Sequence, residues 1–282
     1  MPGRRANLPA APTATYPGTV HTHITRFEMT ARSVRRDAAR TFQDRREAGR
    51  VLAQRLVAYR GRADVLVLGL ARGGVPIGWE VAHSLTAPLD VFVVRKLGVP
   101  QWEELAMGAV ASGGGLVINQ GLVDRLGIDE DTLLDTIRDQ TAEVRRRERA
   151  YRGARPSPDV SHRTVLLVDD GIATGASMLA AVRAVRPAGR IVVAVPVGPA
   201  TVCPELLEEA DEVVCASTPT PFEAVGQAFA DFHQVTDDEV HRLLATPTVG
   251  VGQAFGSSTG SSPVASASAR SSDADSGSDS SG

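Results

Sequence analysis

The chain has 282 residues, 43% of them hydrophobic and 22% charged, a balance that can bury a sizeable core. A net charge of -3, aromatics at 4% and no Lys/Arg stripe interleaved with aromatic residues exclude the footprint of a nucleic-acid binder. Cys203 and Cys215 form no C-x-x-C pair, and no apolar run approaches the ~20 residues that span a bilayer, so a soluble cytoplasmic protein without membrane contact is expected.

In chain order, residues 1–41 are rich in Ala, Pro, Thr and Arg without a sustained period and read as a mobile extension, in which Met29 is an alternative start. Residues 44–59 carry apolar side chains at helical spacing behind Asp44 as N-cap. Residues 64–70 suit a buried strand, Gly73 and Gly74 break the chain, and a helix follows over 75–85. A strand over 89–94 precedes a loop opening at Gly98. Two strands over 106–111 and 116–119 are joined by Gly113, Gly114 and Gly115. A long charged helix spans 129–151 on a narrow stripe of Leu134, Ile137, Val144 and Tyr151. Residues 164–168 form the most apolar strand, followed by a helix over 175–185, strands over 190–195 and 212–216, and closing helices near Ala224 and Asp237. Beyond Thr246 a Gly/Ser-rich run, residues 246–282, reads as a disordered tail. Strands alternating with helices mark an α/β fold, a parallel sheet with helices on both faces, built as one domain over residues 42–245.

The strand over 164–168 ends on Asp169 and Asp170, and Ala173, Thr174, Gly175, Ala176 and Ser177 lead into the next helix. The carboxyl edge of an open α/β sheet is where ligands bind, and a helix N-terminus offers N–H donors and a positive dipole end to a phosphate. Thr174 and Ser177 add hydroxyls, and Gly175 lets an anion approach the backbone. Adjacent acids repel phosphate and instead accept hydrogen bonds from hydroxyls, as of a ribose diol, so the two features together point to a sugar phosphate. A receiver domain would need an Asp after a later strand, where Val197 runs on to Pro199, and a Walker loop would need a lysine that the run from Gly175 to Ser177 lacks.

This segment resembles the PRPP-binding motif of the type I phosphoribosyltransferases: an apolar strand, two acids, then a Thr-Gly turn ending in Ser or Thr. Gly171 departs from it, standing where many members carry a branched apolar residue. The resemblance implies that family's fold with a small hood. It implies that Asp169 and Asp170 hold the ribose hydroxyls and that residues 173–177 hold the 5-phosphate. Arg72, Gly73 and Gly74 resemble the family's pyrophosphate loop, which often contains a non-proline cis peptide. Lys96, with Arg95 second, is the expected pyrophosphate contact. Residues 101–107, with Trp102, Glu103 and Glu104, resemble the mobile loop that closes over the site. Residues 222–240 resemble the tail of a bacterial and archaeal branch, so the likeness covers about 42–244.

By that resemblance the chain is an Mg2+-dependent enzyme in which PRPP loses pyrophosphate through an oxocarbenium-like state and a small nitrogenous acceptor is phosphoribosylated. Asp169, Asp170 and Lys96 are the expected catalytic residues, with Glu103 or Glu104 as a candidate base. Mg2+ is expected on substrate oxygens and water, because His21, His23, His83, His162, His233 and His241 are scattered and no protein metal-ligand spacing appears. A homodimer is implied, through the face carrying Leu97 or the helix over 129–151. The rival reading is a regulatory protein that binds PRPP or a nucleotide without turning it over.

Overall fold

The computed structural model describes residues 40–100, 102–201 and 204–248, and at 103 and 104 the backbone alone. The expectations for the N-terminal extension up to residue 39, with Met29, His21 and His23, for Cys203, for the side chains of Glu103 and Glu104, and for all but the first residues of the Gly/Ser tail fall outside that set.

Seven strands, β1 (Val65–Ala71), β2 (Leu89–Val99), β3 (Trp102–Ala111), β4 (Leu116–Ile118), β5 (Thr164–Val168), β6 (Arg190–Val197) and β7 (Glu212–Ser217), form one sheet in the order β4-β3-β2-β1-β5-β6-β7. The helices are α1 (Arg45–Arg55), α2 (Gly74–Leu85), α3 (Gln120–Leu126), α4 (Glu130–Arg152), α5 (Ala176–Ala184), α6 (Pro204–Glu209) and α7 (Asp237–Ala245). The five strands β2, β1, β5, β6 and β7 run parallel, and the apolar runs of β1, β5 and β6 are buried on both faces. Val65 and Val67 of β1, with Leu166 and Val168 of β5, meet α1 and α2. Leu66, Leu68 and Leu70, with Val165 and Leu167, point the other way onto α5. Each such side chain, fully buried, contributes about 1.5–3 kcal/mol of transfer free energy. Asp44 caps α1 by accepting the Glu47 N–H at 2.8 Å, as its position predicts, and Asp129 caps α4 in the same way through Thr132.

The expected parallel sheet with helices on both faces is present, and one edge of it is antiparallel. β2 runs on to Val99 and pairs antiparallel with β3, and β3 pairs antiparallel with β4. Residues 102–107 therefore belong to a strand, not to a loop, and Arg95 and Lys96 lie inside β2. Pairing with β3 satisfies the backbone of 94–99, and the register shifts at Leu97/Gly98 and Gly98/Val99 take up the glycine that reads in sequence as a break. Leu97 is fully buried against Met107 and Val144, so it offers no face to a second subunit. The turn near Ala224 is a short 3-10 segment, Val225–Ala228, and α3 and α6 are helices too short to show a period in sequence. Among the described residues no helix is long and apolar enough to cross a membrane.

From β1 the chain crosses through α2 to β2, while β5 lies on the other side of β1 and passes through α5 to β6. The winding direction thus reverses between β1 and β5. Their carboxyl ends bound the crevice in which open α/β sheets take ligands.

Candidate active site

Asp169 and Asp170 leave β5 at this crevice. The Asp170 backbone N–H donates to Asp169 Oδ1 at 2.9 Å, and Arg45 donates to Asp170 Oδ2 from Nε at 3.1 Å and Nη2 at 2.9 Å. Burial pushes both carboxyls above the usual range, and the neighbouring Asp170 charge pushes Asp169 further up. The charge of Arg45 works against both shifts. Among the described residues, Asp169 Oδ2 and Asp170 Oδ1 carry no side-chain hydrogen bond, which leaves one oxygen of each acid for the two hydroxyls of a diol.

After the acids, the Ile172 N–H donates to Val197 O at 2.9 Å and pins the loop to the end of β6. Gly171 has no room for a side chain: a Cβ there would meet Val225 Cγ1 at 2.6 Å and Val197 Cγ1 at 2.9 Å. Val225 thus fills the space that a branched residue at 171 would take. Gly175 adopts φ 85°, turning the chain into α5, which starts with no side-chain cap. Its first-turn N–H groups and dipole end are directed at the loop, where Ala173 and Thr174 are exposed.

The turn after β1 comes to the same place. A Cβ on Gly73 would lie 2.1 Å from Asp170 Oδ2, and one on Gly74 would lie 2.3 Å from Val168 O, so only glycine permits this approach. The Ala71-Arg72 peptide is cis, as the resemblance implied. The Arg72 side chain turns aside to Asp237 of α7, with Nη1 3.5 Å from Oδ1.

Beyond Val93, the register partner of Ala71, β2 continues past the sheet edge to Arg95 and Lys96. Lys96 lines a cavity of about 790 Å3 together with Thr174, Ala176 and Ser177, which brings the expected cation and the expected phosphate loop to one space. Arg95 donates to Gln140 Oε1 of α4 at 3.0 Å and does not line that cavity, but Arg95 and Lys96 together line a second, smaller one against Thr136 and Asp139 of α4. Among the described residues no group of three or more His, Cys, Asp or Glu side chains is arranged to hold a metal ion.

Sequence reasoning missed Arg45. Its guanidinium is nearly buried, lies 4.0 Å over the Phe232 ring and donates from Nη1 to His233 O at 2.8 Å. Nothing near residue 45 in the sequence signals a partner 125 positions away; the one hint is a cation at a helix N-terminus, where the dipole disfavours it.

Comparison with known proteins places this geometry in company. The phosphoribosyl transferase domain profile matches residues 41–228. A protein provisionally named a phosphoribosyl transferase in two strains of Mycobacterium tuberculosis is 48% identical over 205 residues, covering 72% of this chain and 46% of its own length. The chain thus spans about half the length of these relatives. The crystal structure of TT1426 from Thermus thermophilus is 43% identical and superposes with a TM-score of 0.59, covering 72% of this chain and 97% of that one.

Proposed function

The chain belongs to the phosphoribosyl transferase domain family, and from that premise we propose that it uses Mg-PRPP to phosphoribosylate a small nitrogenous acceptor, a nucleobase in the first instance, with release of pyrophosphate. The observation that carries this reading is the meeting, at the reversal between β1 and β5, of a buried acid pair, a turn reduced to glycine and an uncapped helix start. Asp169 Oδ2 and Asp170 Oδ1 accept the ribose hydroxyls and favour the positive charge that develops at C1. Thr174, Ser177 and the α5 amides, with Gly175 giving access and Ala173 and Ala176 adding no bulk, take the 5-phosphate. The backbone of Arg72, Gly73 and Gly74, with Lys96, takes the pyrophosphate. Arg95 holds α4 against β2 and supports Lys96 from behind.

Magnesium fits this site as an ion carried on the phosphate oxygens of PRPP and on water, since among the described residues no cluster of three acids would hold it, and bound there it would offset charge on the departing pyrophosphate. The protein's own contribution is position and preorganised charge. The reading extends to a cytoplasmic protein that takes no nucleic acid. It also extends to a homodimer, for which exposed Trp102 and Leu105 on β3 are the support.

The test is mass spectrometry of purified protein with Mg-PRPP and a pool of nucleobases and small amines, beside an Asp169→Asn/Asp170→Asn control. A phosphoribosyl product absent from the control is the expected result. PRPP bound but unchanged with every acceptor would assign the non-catalytic, regulatory role instead, and no PRPP binding would overturn both.

A further inference from the structure

The proposal rests on the transfer reading and adds a residue to it. We propose that Arg45 is a positioning residue of the sugar-phosphate site, fixing the Asp170 carboxylate for ribose and tying it to the C-terminal segment at Phe232 and His233. Three observations carry this. First, both Arg45 contacts to Asp170, at 3.1 and 2.9 Å, fall on Oδ2, so the carboxylate cannot rotate without breaking a two-pronged contact, and Oδ1 is left in a fixed direction. Second, the same guanidinium donates to His233 O and lies over Phe232, which itself stacks on Phe229 with centroids 5.0 Å apart. The segment entering α7 is thereby fastened to the group that fastens Asp170. Third, helix stability does not explain a cation in the first turn of α1, where the macrodipole opposes it, and at 8% side-chain exposure a charged group requires partners.

The charged groups around the pair are few. Asp169 adjoins Asp170. Arg45 comes from α1. Asp231 and His233 come from the C-terminal segment and pair with each other at 3.1 Å, with Glu239 on the far side of the imidazole at 3.6 Å. Arg72, on the turn after β1, faces Asp237. Among the described residues, Arg45 is the cation in direct contact with the acids.

The test titrates Mg-PRPP calorimetrically into the full chain and its Arg45→Gln, Arg45→Lys, Asp170→Asn and Arg45→Gln/Asp170→Asn variants, at several pH values from about 5 to about 8. Thermal unfolding is followed alongside. Arg45→Gln is expected to weaken Mg-PRPP binding by about tenfold or more at neutral pH, and to move the acid limb of the binding profile to higher pH, since burial then keeps the pair protonated longer. Arg45→Lys keeps the charge but not the two-pronged contact, so it should hold the limb near its wild-type position with an intermediate affinity, and it serves where Arg45→Gln fails to fold. In the Asp170→Asn background, Arg45→Gln should add little further loss, which a merely structural role would not produce.

A wild-type chain that binds Mg-PRPP while both Arg45 variants match it in affinity and pH profile would overturn the positioning role alone. Additive losses in the double variant would do the same. A wild-type chain that does not bind Mg-PRPP would overturn the transfer reading, and this role with it.

Discussion

Asp169 is a buried carboxyl beside a second one, an arrangement that works against folding. Burial and the adjacent Asp170 hold its pKa well above the ordinary 3.8, so from about pH 4 upward the folded state retains a proton that the unfolded chain gives up. The sign is that of a group whose folded pKa is raised: its unfavourable ionisation costs stability as pH rises through that window. Asp169→Asn keeps the Oδ1 acceptor for the Asp170 N–H but carries no charge. It should raise the melting temperature at neutral pH, with the gain fading below about pH 4 in a series of thermal scans, while Mg-PRPP binding is lost. Gly171 makes the complementary point about space. Adding a branched side chain there drives it into Val225 and Val197, so Gly171→Val should cost about 1–3 kcal/mol in urea unfolding, and Val225→Ala in the same chain should recover part of it.

At the scale of elements, what was legible depended on how local the signal is. β1 and β5 are buried on both faces, so each reads as an unbroken apolar run ending at its functional turn, and the acid pair and glycine turns follow within a few residues. The strands over 89–94 and 106–111 were legible, but not their extension into the β2–β3 hairpin, because its faces differ: Arg95 and Leu97 turn to α4, while Lys96 reaches the cavity beside α5. Charge and a glycine inside a strand look like its end. Arg45 escaped for another reason, since its partners Asp170 and His233 are joined to it only by the fold.

The same holds for the clasp between α4 and α7, where Tyr151 donates to Asp237 Oδ1 at 2.7 Å and Asp237 also faces Arg72. Burial, then the hydrogen bond to Asp237, pushes the Tyr151 hydroxyl up to about 12 from its usual 10.0. The unfolded chain therefore loses this proton first, and stability should fall as pH rises from 10.0 to about 12. Tyr151→Phe should flatten that alkaline decline and cost about 1 kcal/mol at neutral pH, both measurable by denaturant unfolding across pH.

For the whole molecule, the question is how much chain the site requires. The family match ends at residue 228, yet the contacts that organise the acids and the glycine turn come from beyond it: His233 O and Phe232 on Arg45, and Asp237 on Arg72. Val235, Val240 and Leu243 of the same stretch are buried with Val75, Val91 and Tyr151, and the Thr248 hydroxyl donates to the buried Ala87 carbonyl at 2.8 Å. At the other end, the Arg40 N–H donates to Ser217 Oγ at 3.2 Å. Residues 40–248 should therefore fold alone and bind Mg-PRPP as the full chain does. A piece over 42–245 should keep the site but unfold at lower urea, having lost the Arg40 contact and left the Ala87 carbonyl unpaired, a cost of about 1–3 kcal/mol. A piece over 40–228 should lose both stability and Mg-PRPP affinity, because Arg45 then has neither His233 nor Phe232 to hold it against Asp170. Calorimetric titration and urea unfolding of the three pieces separate these outcomes. Undiminished binding by the shortest would mean that the acids are organised without the C-terminal segment.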